Sequence, residues 1–198
     1  MLTILKPLYV RDELLRLNLK IFTPFSFRRV FHINPEATKY FLETHTSDGL
    51  FIRLKKGLYM LKTDPLAEEE IANRLYQPSY ISFEYALSVF GILPESVYTI
   101  TSATTKPTRQ FTVQNIEYQY HSILDEAYTG YSLQDIRGNK CLLADAEKAL
   151  VDYVYFEALG KKPHNERIHA SSLDRDKVSA YAQIFNRDSI HQILDTYR

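Results

Sequence analysis

Between Val10 and His45 apolar residues recur every three or four positions, the rhythm of helices with one buried face. A first helix is predicted over residues 10–17, with Leu14, Leu15 and Leu17 apolar. A second begins at Thr23-Pro24. Threonine can cap the unbonded amides of a first turn, and proline suits the first helical position because its missing N–H has no partner there. Phe27, Val30 and Phe31 then fall on one face. A third helix begins in the same way at Asn34-Pro35 and runs to about His45, with Asp48-Gly49 as its exit turn. Only His32 and Ile33 separate the second helix from the Asn34 cap, and so tight a connection predicts a helix-turn-helix. The rhythm then changes: two β-prone runs, 51–54 and 58–61, flank the turn Lys55-Lys56-Gly57 and read as a hairpin. Three helices followed by a hairpin is the order of a winged helix-turn-helix.

A turn signal at Lys62-Thr63-Asp64-Pro65 ends this segment. The chain therefore reads as a winged helix-turn-helix domain, residues 1–62, followed by a mixed α/β domain, residues 63–198, with antiparallel hairpins and C-terminal helices; the fold class is α+β. Helices are predicted over 66–76 (Ile71, Ala72 and Leu75 inward) and 82–90, the latter ended by Gly91. A strand is predicted over 97–101. Residues 110–113 and 116–123 form a hairpin turned at Gln114-Asn115, in which Ile116, Tyr118 and Tyr120 alternate with Glu117, Gln119 and His121. Residues 132–136 and 140–143 pair around Gly138-Asn139. A helix over 145–159 carries Ala146, Ala149, Leu150, Tyr153 and Val154 as its apolar stripe, and two more, near 174–185 and 188–197, close the chain.

Charge changes the picture more than composition does. The 198 residues hold 24 Lys and Arg against 24 Asp and Glu, a net of zero that argues against nucleic acid. The distribution reverses that argument: residues 1–62 hold 11 basic against 5 acidic side chains (+6), residues 63–198 hold 13 against 19 (−6). A basic head on an acidic body fits a chain that approaches a polyanion at one end, and taken alone is equally the chance clustering of solvated surface charge. No apolar run reaches the roughly 18 residues of a membrane span, and the start, MLTILKPLYVRDELL, is charged too soon for a secretory signal. The single cysteine, Cys141, excludes an internal disulfide framework and fits a reducing cytoplasm, the expected location.

The second helix of a helix-turn-helix is the one that enters a major groove. Two registers are open for residues 34–45. If Ala37, Tyr40, Phe41 and Thr44 pack inward, Thr38 and Lys39 face the groove; if Thr38, Phe41, Leu42 and His45 pack inward, Lys39 and Tyr40 face it. The second register buries two adjacent large apolar residues and is preferred. Glu36, Lys39 and Glu43 are outward in both, which makes Lys39 the first candidate for a base or phosphate contact. Arg53, Lys55 and Lys56 on the hairpin can neutralise phosphates and release counterions. Arg28 and Arg29 sit where the first helix of the motif crosses the backbone. Any one of these cations is better explained as solvated surface charge; the signal is their concentration on the elements that should approach DNA. The glutamates oppose non-specific binding, or accept from cytosine amino groups.

Several ordered blocks are similar to one family. Lys56-Gly57-Leu58-Tyr59 is followed by Ile71-Ala72-Asn73-Arg74-Leu75-Tyr76, Pro78-Ser79-Tyr80-Ile81-Ser82-Phe83-Glu84, Ala86-Leu87-Ser88 and Gly91-Ile92-Leu93-Pro94-Glu95. Then come Val97-Tyr98-Thr99-Ile100-Thr101-Ser102-Ala103-Thr104-Thr105-Lys106 and Ala146-Glu147-Lys148-Ala149-Leu150-Val151-Asp152. Together, across residues 50 to 156, they closely resemble the AbiEi-type antitoxins of abortive-infection, type IV toxin–antitoxin systems. The resemblance implies a winged-helix domain that binds double-stranded operator DNA and represses its own operon. It also implies a second domain that counteracts a nucleotidyltransferase-like toxin, a partner in function and not necessarily in a stable complex. Lys106 and Arg109 are carried over from it as further DNA-contact candidates, the alternative being the charged start of a hairpin. The chain departs from the pattern in its shorter carboxyl end, its acidic body, and Pro107 where a basic residue is common.

No catalytic set, cofactor motif or metal site stands out, so no enzyme is expected. The Gly-Ser pair followed by paired aspartates of a nucleotidyltransferase is absent, as is a glycine-rich phosphate loop. His164 and His169 lack a cysteine partner and read as a polar loop. Asp145 reads as a helix cap and Glu147 as a first-turn acid. Cys141 and the Tyr118/Tyr120 stripe read as core. The leading expectation is a DNA-binding antitoxin. The alternative is an antitoxin whose acidic second domain masks a basic toxin face directly; a third reading, a nuclease-like body, would require a metal-dependent activity lost on Glu147→Ala.

Overall fold

The computed structural model describes residues 5–197 of a mixed α+β protein. It separates into two compact units, Met1–Ala67 and Glu68–Arg198. The break falls after residues 63–67, not at 62/63, because these residues are tied back to the first unit. The Leu66 N–H meets the Met60 sulfur at 3.3 Å, and Asp64 accepts from Lys20 at 3.1 Å. Among the described residues no helix is long and apolar enough to cross a membrane.

The first unit runs α1 (Pro7–Arg16), β1 (Ile21–Phe22), α2 (Pro24–Phe31), α3 (Pro35–Ser47), β2 (Phe51–Lys55) and β3 (Leu58–Leu61). This is the expected element order with β1 added; it pairs antiparallel with β3 and completes a sheet of order β1-β3-β2. Both predicted caps form. Thr23 and Ser26 make a reciprocal capping box at α2, and Asn34 Oδ1 accepts from the Ala37 N–H at 2.8 Å at α3. The chain turns between the two helices through His32, whose φ of 51° is left-handed. Rings fill the core. Phe27 lies 4.5 Å from Phe31 and 5.7 Å from Phe41, while Phe22 meets Phe51 edge-on at 5.4 Å, so α2, α3, β1 and β2 close on one aromatic cluster.

The second unit runs α4 (Glu68–Leu75), β4 (Tyr80–Ile81), α5 (Phe83–Val89), β5 (Ile100–Thr104), β6 (Arg109–Val113), β7 (Ile116–Ser122), β8 (Tyr131–Ile136), β9 (Asn139–Ala144), α6 (Ala146–Ala158), α7 (Arg175–Ile184) and α8 (Asp188–Leu194). Its six strands are ordered β6-β7-β5-β4-β9-β8, with parallel pairs at β5/β7 and β4/β9 and antiparallel pairs elsewhere. The β6/β7 hairpin turns at Gln114-Asn115, both at positive φ, the conformation that matches strand twist in a two-residue turn. The β8/β9 hairpin turns one residue before the expected place, at Arg137-Gly138, because Ile136 pairs with Asn139. The strand expected over 97–101 begins instead at Ile100, where pairing with Tyr118 begins.

Helix α6 departs most from expectation. It packs against α5, α7, α8 and β9, and is buried nearly all round, not along one stripe. Lys148 and Asp152, one turn apart, are fully buried and paired with each other. Asp152 Oδ2 also accepts from Ser82 at 2.7 Å and Tyr80 at 3.0 Å. Asp145 occupies the cap position without capping; its carboxylate accepts from the Tyr181 hydroxyl at 2.9 Å.

Candidate nucleic-acid interface

Helix α3 settles the choice of register. Thr38, Phe41 and Leu42 are buried, Lys39 is exposed, and Tyr40 is 74% exposed. Thr38 can be buried because its hydroxyl donates to the Asn34 carbonyl at 2.8 Å, which satisfies it inside the helix. His45 is half-buried and pairs with Asp48 at 2.9 Å, so the inward face ends there. Glu36 and Glu43 are exposed beside Lys39, as either register requires.

Between α2 and α3 runs a shallow groove lined by Pro24, Phe25, Arg28, Thr38, Lys39 and Tyr59 among others. It brings Arg28 and Lys39 together, although they belong to different helices. The hairpin adds a third cation. Arg53 stands directly opposite Tyr59 in the β2/β3 ladder, and opposite residues project to the same face of a sheet. Tyr59 lines the groove, so Arg53 projects from the hairpin on the groove side. The sequence carries no obvious signal for Phe25. Its ring is 57% exposed, with the Arg28 and Arg29 guanidiniums 5.2 and 5.9 Å from its centroid. Such stacking holds two flexible cations at the surface of α2.

The cations divide by partner. Arg11 pairs with Asp12, Arg16 with Glu13 and Lys20 with Asp64. The bond from Arg16, with its charge, holds the Glu13 carboxyl below its ordinary value. Among the described residues, Arg28, Arg29, Lys39, Arg53 and Lys56 have no carboxylate within ion-pair distance. Positive charge is thus quenched at Arg11 and Arg16 on α1 and left without a carboxylate partner at Arg28 and Arg29 on α2, Lys39 on α3, and Arg53 and Lys56 on the hairpin. Lys56 is exposed at the turn, and Gly57 takes a φ of 78° that frees the tip to reverse in two residues. Lys55 is half-buried where the ladder shifts register.

Lys106 and Arg109 lie in the other unit. Both are exposed, and their charges stand 5.6 and 5.9 Å from the Tyr76 ring, whose hydroxyl donates to the Pro107 carbonyl at 3.1 Å. They form a local cluster around one tyrosine. His164 pairs with Glu157 at 2.8 Å and stacks near Tyr197.

The chain matches no family model and no curated protein.

Proposed function

We propose that the chain is a DNA-binding transcriptional regulator that lays α3 in a major groove and grips the flanking backbone with α2 and the hairpin. The observation that carries this reading is the set of cations without acidic partners, Arg28, Lys39 and Arg53, that border one groove of a helix-turn-helix. A phosphate backbone is the ligand for which such charges are kept unpaired. Lys39 and Tyr40 are the base-reading candidates on α3; Arg28, Arg29, Arg53, Lys55 and Lys56 are the phosphate contacts; Lys106 and Arg109 are secondary. The blocks that resemble AbiEi-type antitoxins extend the reading. The regulator would repress its own operon and counteract a nucleotidyltransferase-like toxin.

The test is fluorescence anisotropy with a duplex from upstream of the reading frame and a shuffled duplex of equal length. Lys56→Ala and Arg53→Ala should weaken binding to both duplexes alike and reduce the slope of log affinity against log salt by about one each. Lys39→Ala should weaken the specific duplex more than the shuffled one, by about 1–3 kcal/mol if it reads a base. Equal affinity of wild type and a Lys39/Arg53/Lys56 triple alanine variant for both duplexes would overturn the proposal.

A further inference from the structure

Helices α6, α7 and α8 pack on one another and leave a cleft of about 270 Å³ that the DNA reading does not use. Helix α7 contributes Arg175, Val178 and Ser179, spaced at i, i+3 and i+4, so a single face of that helix is turned to the cleft. Helix α8 and the turn after it contribute His191, Leu194 and Asp195 at the same spacing. Leu150 of α6 and Tyr197 are buried and form an apolar floor. The Tyr197 hydroxyl is occupied outside the cleft lining: it donates to Glu157 Oε2 at 2.7 Å and accepts from the Asn165 N–H at 3.2 Å.

The polar groups around this floor are unspoken for. Among the described residues, Arg175 forms no ion pair, and the side chains of Ser171, Ser179 and His191, which also line the cleft, make no hydrogen bond. Asp195 is already engaged within the chain, so the free charge in the lining is positive. That charge is a side chain's and not a helix end's. Asp174 Oδ1 accepts from the amides of Asp176 and Lys177 at 3.0 and 3.2 Å, which closes the first turn of α7.

We propose that this cleft binds a small carboxylate with an apolar body, its carboxylate held by Arg175 with Ser179 and His191, its body against Leu150, Val178, Leu194 and the Tyr197 ring. The ligand follows from the lining. A planar guanidinium donates two parallel N–H bonds to a carboxylate, and the serine hydroxyls and the imidazole N–H are further donors. An apolar floor with a few convergent polar groups is the usual build of a small-molecule site. Size sets the class: a water takes about 30 Å³ of liquid, so the cleft holds roughly nine waters, or one short-chain or single-ring acid. Inorganic phosphate would meet the donors and leave the floor unfilled; an amine would meet Arg175 as a like charge. The inference concerns the second unit alone and stands whether or not the first binds DNA.

The test uses the full chain with hexanoate and benzoate as probes, titrated by saturation-transfer NMR. Wild type should bind at least one of them saturably. Acetate should bind at least about tenfold more weakly than hexanoate, because each buried methylene is worth about fourfold. Hexanamide, which has the same body without the charge, should also bind at least about tenfold more weakly. Arg175→Gln should weaken hexanoate about tenfold or more, the loss expected of a hydrogen bond to a charged group, with the urea midpoint unchanged because the side chain is exposed. Ser179→Leu should fill the cleft and abolish binding, with a urea midpoint level with wild type or above it. Duplex binding by the same variants, read in parallel, reports on the first unit separately. The proposal is overturned if neither probe binds, if acetate or hexanamide binds as tightly as hexanoate, or if either folded variant binds like wild type.

Discussion

A buried ion pair and a half-buried histidine of the second unit make opposite demands on charge. Lys148 and Asp152 are paired and shielded from water, so each depends on the other, and Asp152 also on the hydroxyls of Tyr80 and Ser82. Asp152→Ala would leave an ammonium buried without its counter-ion, and urea unfolding should show a loss of about 3–5 kcal/mol. His121 is held neutral. Burial first, then the charge of Lys162, hold its imidazole down at about 4 from 6.5, against a smaller opposing pull from Glu84; its ring meets Phe83 at 5.0 Å and Phe156 at 5.2 Å. Between pH 6.5 and 4 the unfolded chain thus binds the proton that the native chain refuses, and stability rises with pH across that window. The contribution should be complete above 6.5, shrink as acid is added, and level off below about 4, a change on the order of 2 kcal/mol. Urea midpoints through that range should show it in wild type and not in His121→Phe.

At the scale of the element, the α2–α3 pair depends on where α3 starts. Asn34→Ala removes the side-chain acceptor for the Ala37 amide and should cost about 1 kcal/mol, with DNA affinity falling as the first turn frays. Circular dichroism melts and anisotropy on one preparation would separate the two effects. This start was legible in the sequence because Asn34-Pro35 is a local signal, and the buried face of α3 because Phe41 and Leu42 adjoin. The strands β1 and β4 were not legible: two residues are too few to alternate, and their pairing partners are remote in sequence. Nor was the interior of α6, since a Lys and an Asp one turn apart read equally as a surface ion pair. The groove cations were named from sequence one by one. Their convergence with Phe25 and Tyr59 depends on helix packing and strand register, which no local pattern encodes.

For the molecule as a whole, the overall charge of zero conceals two bodies of opposite sign. The unit ending at Ala67 holds 11 basic against 6 acidic residues (+5), and the remainder 13 against 18 (−5). Each unit has its own core, so expressing them apart separates the contributions. The fragment 1–67 should bind duplex DNA more tightly than the full chain at low salt, since it sheds the repulsion of its acidic companion, and the difference should vanish as salt screens both. The fragment 68–198 should not bind duplex DNA. Retention of DNA by the second fragment, with none by the first, would invert the assignment of roles.

The six-stranded sheet has a seam. Strand β4 contributes only Tyr80 and Ile81, yet among the described strands it is the one that pairs with both the β6-β7-β5 half and the β9-β8 half, through Ile81 opposite Leu143 on one side and Ser102 and Ala103 on the other. The residues at the seam, Tyr80 and Ser82, are the two whose hydroxyls are pinned by Asp152. The buried ion pair on α6 therefore acts as a rivet. Drawing it out would unstitch two half-sheets along a single line, and amide exchange at Ile81 and Leu143 should accelerate together before either hairpin begins to open.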